Sequence, residues 1–397
     1  MDITRPETVG LSSSRLTRVG QAMSKYVESS KLAGTLTLVA RHGKIAHFEP
    51  LGIMDVEAGT RIARDTIFRI YSMSKPITSV AVMMLYEEGH FLLTDPIQGF
   101  IPAFADVCVL ERNGTEVKLV PTQRAITIRD LLTHTAGLGY GLGEDYIDGL
   151  YKKHVWGTME RNPEATLGEM VETVAGLPLA YQPGQGWRYS MATDVLGYLV
   201  QIASGTAFDA FLRERIFLPL GMIDTGFYVP PDKIDRFAAN YSPGEDGTGP
   251  RVIDAPRDSP YTRPGRIPSG GGGLVSTATD YARFAQMLLN EGVLDGMRLL
   301  SRKSVELMTM NHLRPGVHPF GNPSQGMGLG VGMTIDLAQT QALGSVGRYG
   351  WGGAASTNFW IDPQEDLICV FMTQLMPSST YPVVDDFRVA VYQALVD

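Results

Sequence analysis

Ser72-Met73-Ser74-Lys75 carries a hydroxyl and an amine three residues apart, so on a helix both point to one side, about one turn apart. A serine hydroxyl is a poor nucleophile until a neighbouring base takes its proton. A lysine among apolar neighbours, here Met73, Ile77 and Val80, is expected to lose part of its hydration, which lowers its pKa toward that role. Two more islands stand far along the chain. Tyr189-Ser190-Met191 adds a phenol able to share the proton work, and Trp351-Gly352-Gly353 reads as the end of a strand lining the same cleft. S-x-x-K alone recurs by chance in any long chain; the three islands in this order are a far more specific signal.

Around them the chain reads as an ordinary globular protein. Its 397 residues suit two or three average domains or one large domain with an insertion. Hydrophobic residues make up 44% and charged residues 19%, enough apolar material for a large core. The net charge of −8, from 34 basic and 42 acidic residues without a long run of one sign, argues against nucleic acid or an anionic membrane as partner. No apolar run approaches the roughly 18 residues of a membrane span. The start, Met1-Asp2-Ile3-Thr4-Arg5-Pro6-Glu7, lacks the apolar stretch of a secretory signal, so a cytoplasmic location is expected and a cell-wall role is disfavoured. Cys108 and Cys369 both lie in apolar stretches and are expected as buried free thiols.

Residues 12–29 read as an amphipathic helix with Leu16, Val19, Met23 and Val27 at helical spacing. Strands are expected at 35–41 and 44–49, joined by the tight His42-Gly43 turn. Ser72 is expected to open a long apolar helix ending near Gly89, with Pro76 in its first turn, where proline costs least. Thr127-Ile128-Arg129-Asp130 reads as a capping box, and a helix from Asp194 ends at Gly205. Strand signals return at 328–333, 355–361 and 367–373, and a final helix covers 383–395. Strands at both ends with a helical block between them imply an α/β (α+β) chain. One mostly antiparallel sheet is built from both termini and flanked by the terminal helices. Residues 1–91 and 269–397 form this part; residues 92–268 form a mainly helical, loop-rich lobe.

The islands resemble the serine hydrolases that share the fold of penicillin-binding proteins and class C β-lactamases, and more narrowly the family VIII carboxylesterases. Three further stretches fit: residues 130–138, residues 183–190, and the run from Gly270 to Asp280. The resemblance implies the same two-lobed architecture with the active site between lobes, Ser72 as nucleophile, and Lys75 and Tyr189 sharing the role of base. Which of the two deprotonates Ser72 stays open. It also implies an oxyanion hole from the N–H groups of Ser72 and Ala354, aided by the helix N-terminus. Two departures from the β-lactamase pattern point to esters. Trp351, with Gly352 and Gly353, stands where those enzymes carry a cation for a substrate carboxylate, and Met191 replaces an amide that thioether chemistry cannot imitate.

Asp194 reads equally as a group orienting Tyr189 or Lys75 and as a helix cap. Tyr140 is a candidate substrate contact, as are Tyr146, Phe227, Tyr228 and Tyr261. His134 reads as structural, and Gly270–Gly273 as backbone packed closely against the sheet. The seven histidines show no zinc-site spacing, no glycine run is a P-loop, and no G-x-S-x-G occurs. The expectation is a carboxylesterase for small-molecule esters of short to medium acyl chain, needing no metal or organic cofactor. Its rivals are an acyltransferase to a small-molecule alcohol, a β-lactam hydrolase, and a non-catalytic binding module. Oligomeric state is not legible.

Overall fold

A computed structural model of the chain describes residues 1–114, 116–162, 164–244, 249–264 and 267–397. Its centre is an eight-stranded antiparallel sheet. The strands are β1 (Gly34–Arg41), β2 (Lys44–Asp55), β3 (Thr60–Arg61), β4 (Gln325–Met327), β5 (Gly332–Thr334), β6 (Tyr349–Gly352), β7 (Asn358–Asp362) and β8 (Leu367–Met372). They lie in the order β4-β5-β6-β7-β8-β1-β2-β3. The two chain ends meet where β1 pairs with β8, Leu36 opposite Met372 through to Arg41 opposite Leu367. The helices that bear on the site are α1 (Ser13–Glu28), α2 (Ser74–Glu87), α3 (Ile128–Leu132), α4 (Ala192–Ser204), α5 (Ala278–Leu289) and α6 (Val383–Tyr392).

The unbroken apolar run Leu367-Ile368-Cys369-Val370-Phe371-Met372 is explained by burial on both faces. Because side chains alternate along a strand, Ile368, Val370 and Met372 enter the core shared with α2 and α5. Leu367, Cys369 and Phe371 enter a second core under α1 and α6. The terminal helices thus cover one face of the sheet, and helix α2 packs within the core on the other.

Several local expectations change in the folded chain. Helix α1 is capped by Ser12, and Tyr26 rather than Val27 completes its buried stripe, because Tyr26 continues the i, i+4, i+7 line from Val19 and Met23. Most of the expected strand at 328–333 is instead the turn at Gly330 that joins two short strands, β4 before it and β5, which holds Gly332 and Met333. At Gly330 φ is +86°, and an added Cβ would lie 1.9 Å from Ser79 Oγ. Residues 92–268 hold two β-hairpins as well as helices, Cys108–Asn113 with Glu116–Pro121 and Asn240–Ser242 with Arg251–Asp254. The first is short, charge-rich and largely exposed, so its alternation carries little apolar signal and Cys108 is only half-buried, whereas Cys369 is buried as expected. The second packs Tyr241 and Val252 into the core beneath α1 and α6, and Tyr241 exchanges backbone hydrogen bonds with Gln374 and Met376. Among the described residues no single helix is long and apolar enough to cross a membrane.

Candidate active site

Helix α2 begins at Ser74, after a 3-10 turn of Tyr71–Met73. Ser72 therefore lies in the turn that leads into the helix, and its side chain caps nothing; the N-cap position is Met73. Tyr71 adopts φ +42°, a left-handed conformation that costs a bulky side chain energy and sets Ser72 on a sharp corner. Beneath it Ser74 is fully buried, donating to the Tyr71 carbonyl at 2.6 Å and accepting from the Leu274 N–H at 3.1 Å, which pins the corner to the core.

The three-residue spacing of Ser72 and Lys75 places Lys75 Nζ 3.2 Å from Ser72 Oγ. The buried Nζ also donates to the Gly271 carbonyl at 2.6 Å and sits 4.5 Å from the centroid of the Tyr189 ring and 5.2 Å from that of Tyr140. The Tyr189 hydroxyl donates to Ser72 Oγ at 2.6 Å. Tyr189 is held in plane by Tyr140, whose ring is nearly parallel to it (7°) with centroids 5.3 Å apart. Tyr140 is itself fixed by the Trp156 indole, which donates to its carbonyl at 2.7 Å.

Gly270–Gly273 packs on α2 and α4, not against the sheet. The Gly270 carbonyl accepts from Thr78 at 2.9 Å, and the Gly271 N–H donates to Asp194 Oδ1 at 3.1 Å. A Cβ at Gly271 would lie 2.5 Å from Asp194 Oδ2, so only glycine brings this backbone under the lysine. Ser269 Oγ donates to Asp194 Oδ1 at 2.5 Å, and among the described residues Asp194 neither caps α4 nor hydrogen-bonds Lys75 or Tyr189. It fixes the loop whose carbonyl holds Lys75. Burial pushes the Asp194 carboxyl up from its ordinary value, an effect partly offset by the charge of Lys75 and the Ser269 and Gly271 hydrogen bonds.

His134, read from the sequence as structural, packs directly beneath the site. It is fully buried under the phenol, its ring centroid 5.1 Å from that of Tyr189 and 6.4 Å from that of Trp351, with Nδ1 3.0 Å from Ser190 Oγ. It thus touches the second and third islands together. The clue was its place in a stretch shared with the resembled family, but nothing local showed which rings it would meet. Burial, and secondarily the charge of Lys75, pull its pKa down to about 3, so the imidazole is neutral in the folded protein. Below its ordinary value near 6.5 the unfolded chain binds a proton the native state does not. Stability from this group is therefore lost as pH falls from about 6.5 toward 3, by up to about 1.4 kcal/mol per unit. His134→Asn keeps a polar partner for Ser190 and suits the φ of +56° at this position. From pH 7 to 5 in urea titrations, wild type should lose about 1–2 kcal/mol more stability than the variant; equal losses would mean a charged native imidazole.

On the facing wall, β6 carries Trp351 and Gly352, then turns at Gly353. A Cβ on Gly353 would lie 2.2 Å from Thr357 Oγ1 and 2.5 Å from the Ile70 carbonyl, so glycine is what lets this turn close on the backbone leading to Ser72. Ser72, Tyr140, Tyr189, Trp351, Gly352, Gly353 and Ala354 border one cavity of about 950 Å³, which Tyr261, Trp156 and Phe320 also line. Among the described residues no backbone carbonyl accepts from the N–H of Ser72 or Ala354. Met191, expected at the substrate, is fully buried in the core at the start of α4 and does not border the cavity, because an apolar side chain there packs inward. Tyr146, Phe227 and Tyr228 also lie off this cavity.

Comparisons with known proteins place the fold. A family profile described as Beta-lactamase matches residues 19–394. Protein Rv1367c of Mycobacterium tuberculosis is 38% identical over 367 residues, covering 90% of this chain and 89% of the relative. Esterase EstB of Burkholderia gladioli is 30% identical over 392 residues, 94% of each chain. The solved structure of EstCE1, described as a hydrolase with promiscuous acyltransferase activity, matches with a TM-score of 0.82 at 26% identity, covering 96% of this chain and 99% of its own. With a serine, a lysine and a tyrosine converging in the fold these proteins share, the chain belongs to the β-lactamase family and groups there with the esterase-type serine hydrolases of family VIII.

Proposed function

We propose that this protein is a serine esterase that cleaves small carboxylic esters, with short to medium acyl chains, through an acyl-enzyme on Ser72. The observation that carries the reading is the double hydrogen bond at the hydroxyl, 2.6 Å from Tyr189 and 3.2 Å from Lys75. Catalysis starts from the form in which one member of the Tyr189–Lys75 pair has given up its proton; as Ser72 Oγ bonds to the ester carbonyl carbon, that member takes the serine proton. The carbonyl oxygen gains negative charge facing the free N–H groups of Ser72 and Ala354. The C–O bond to the alcohol then breaks and the alcohol leaves with a proton returned through Tyr189. Water repeats the sequence to release the acid and restore Ser72. Proximity of two proton-transfer groups to one nucleophile is the arrangement this chemistry needs.

Trp351 beside Ser72 offers an aromatic wall and no charge, which supports esters over β-lactams whose carboxylate lies close to the reacting carbonyl. A second reading, transfer of the acyl group to an alcohol in place of water, is supported by the description of EstCE1 and by a cavity with room for more than a short acyl chain. Quenched-flow with p-nitrophenyl butyrate, followed by intact mass, tests the scheme. A burst of nitrophenol with a butyryl adduct is expected, and added butanol yields butyl butyrate if transfer competes. Folded protein with neither adduct nor turnover would overturn the esterase reading.

A further inference from the structure

A second cavity of about 360 Å³ adjoins the first, sharing with it Phe320, Trp351, Gly352, Asn358, Val384 and Asp385. It lies between strands β4 to β7 and helix α6, and two guanidinium groups border it, Arg348 just before β6 and Arg388 on α6. One carboxylate lines it, Asp385, which is exposed and paired with Arg388. The neighbouring Asp362 is buried and takes the Tyr392 hydroxyl at 2.6 Å. Among the described residues Arg348 makes one side-chain hydrogen bond, from Nη2 to Thr334 Oγ1 at 3.3 Å.

Arg348 and Trp360, which both line this cavity, each carry a donor, Nη1 and Nε1, that is buried without an acceptor among the described residues, and Trp360 is only 4% exposed. Leaving buried donors unsatisfied is costly, and a charged one more so. Burial and the charge of Arg348 also hold the Arg388 guanidinium below its ordinary pKa, as expected of two cations on one wall. What completes such a site is a group with acceptors only and a negative charge. Arginine forks suit a carboxylate in that role.

We infer that the Arg348–Arg388 cavity is a subsite for a carboxylate on the far end of the ester, so that the substrate runs from Ser72 past Trp351 and Gly352 and ends on the two arginines. The inference rests on the esterase reading and narrows it to esters with an anionic tail. The missing cation beside Ser72 is then replaced by charge one cavity further on.

The test compares wild type, Arg348→Gln and Arg388→Gln on two matched pairs: p-nitrophenyl pentanoate with the p-nitrophenyl half-ester of glutarate, and phenyl acetate with 3-acetoxybenzoate. The first pair places the carboxylate on the acyl side, the second on the leaving side. In wild type one anionic ester should show a KM at least about tenfold below its neutral partner, the size of one charge-assisted contact. Arg348→Gln should erase that advantage and leave the neutral esters within about threefold in kcat/KM. The subsite is refuted if neither anionic ester is preferred, or if the preference survives in both variants. Calorimetric titration with free glutarate separates the two ideas should no ester turn over. Saturable binding that Arg348→Gln removes would then uphold the subsite while the esterase reading fell; no binding would sink the subsite too.

Discussion

Ser72→Ala is expected to lower ester turnover by about ten thousandfold or more and to leave the fold intact. Losses of that order follow removal of a nucleophile when the rest of the site still binds substrate. Ser72 Oγ accepts from Tyr189 and Lys75 in a partly exposed turn that borders the large cavity. Without the oxygen, water from the cavity takes the same two donors, so no buried group is orphaned. The corner itself is held by Ser74 and by backbone, from the Met73 N–H to the Ile70 carbonyl at 3.0 Å, and neither depends on Ser72 Oγ. Stability should change by less than about 1 kcal/mol, and no acyl adduct should form. Near wild-type turnover by this variant would refute the mechanism as a whole.

Tyr189→Phe should lower kcat by about a thousandfold and change KM little. The substitution removes one oxygen, the donor 2.6 Å from Ser72 Oγ, and keeps the ring that stacks on Tyr140, faces His134 and lies against Lys75 Nζ. Packing and substrate contact are therefore retained while a proton-transfer group is lost. General acid–base catalysis by one positioned group is worth about a hundred- to ten-thousandfold. If kcat fell less than about tenfold, Lys75 at 3.2 Å would be the sufficient base and Tyr189 a spacer. A rise in KM with unchanged kcat would instead mark the phenol as a binding group.

The contrast between Ser72–Lys75 and the rest of the site shows how legibility falls with separation along the chain. The serine and lysine are three residues apart, and a helical turn alone brings them to hydrogen-bond distance. Gly271 is 196 residues from Lys75, and its role as acceptor is invisible until α2 and α4 pack on the same loop. The glycine run was recognisable as close-packed backbone, but its neighbours were misread because glycine carries no side-chain pattern to say which surface it meets. Asp194 had two local readings, capping or orienting. The folded chain takes a third course, in which the carboxylate fixes a loop 75 residues further on. Met191 was read by its position in a motif, yet a thioether among apolar neighbours lowers its free energy by burial and leaves the cavity.

By itself the sequence determined the elements whose signal is local. These are the alternating and all-apolar strands, the capped helices, the placement of strands at both ends of the chain, and the hydroxyl–amine pair. Tertiary structure decided what depends on distant neighbours: the meeting of Tyr189 with Ser72, the neutral His134 beneath them, and the turn at Gly353 closing on Ile70. It also placed two arginines on a cavity next to the first. The physical reason is that hydrophobic periodicity and capping arise from residues within a few positions of one another. Site geometry, burial and the shifts they impose arise from contacts that only a closed core can hold.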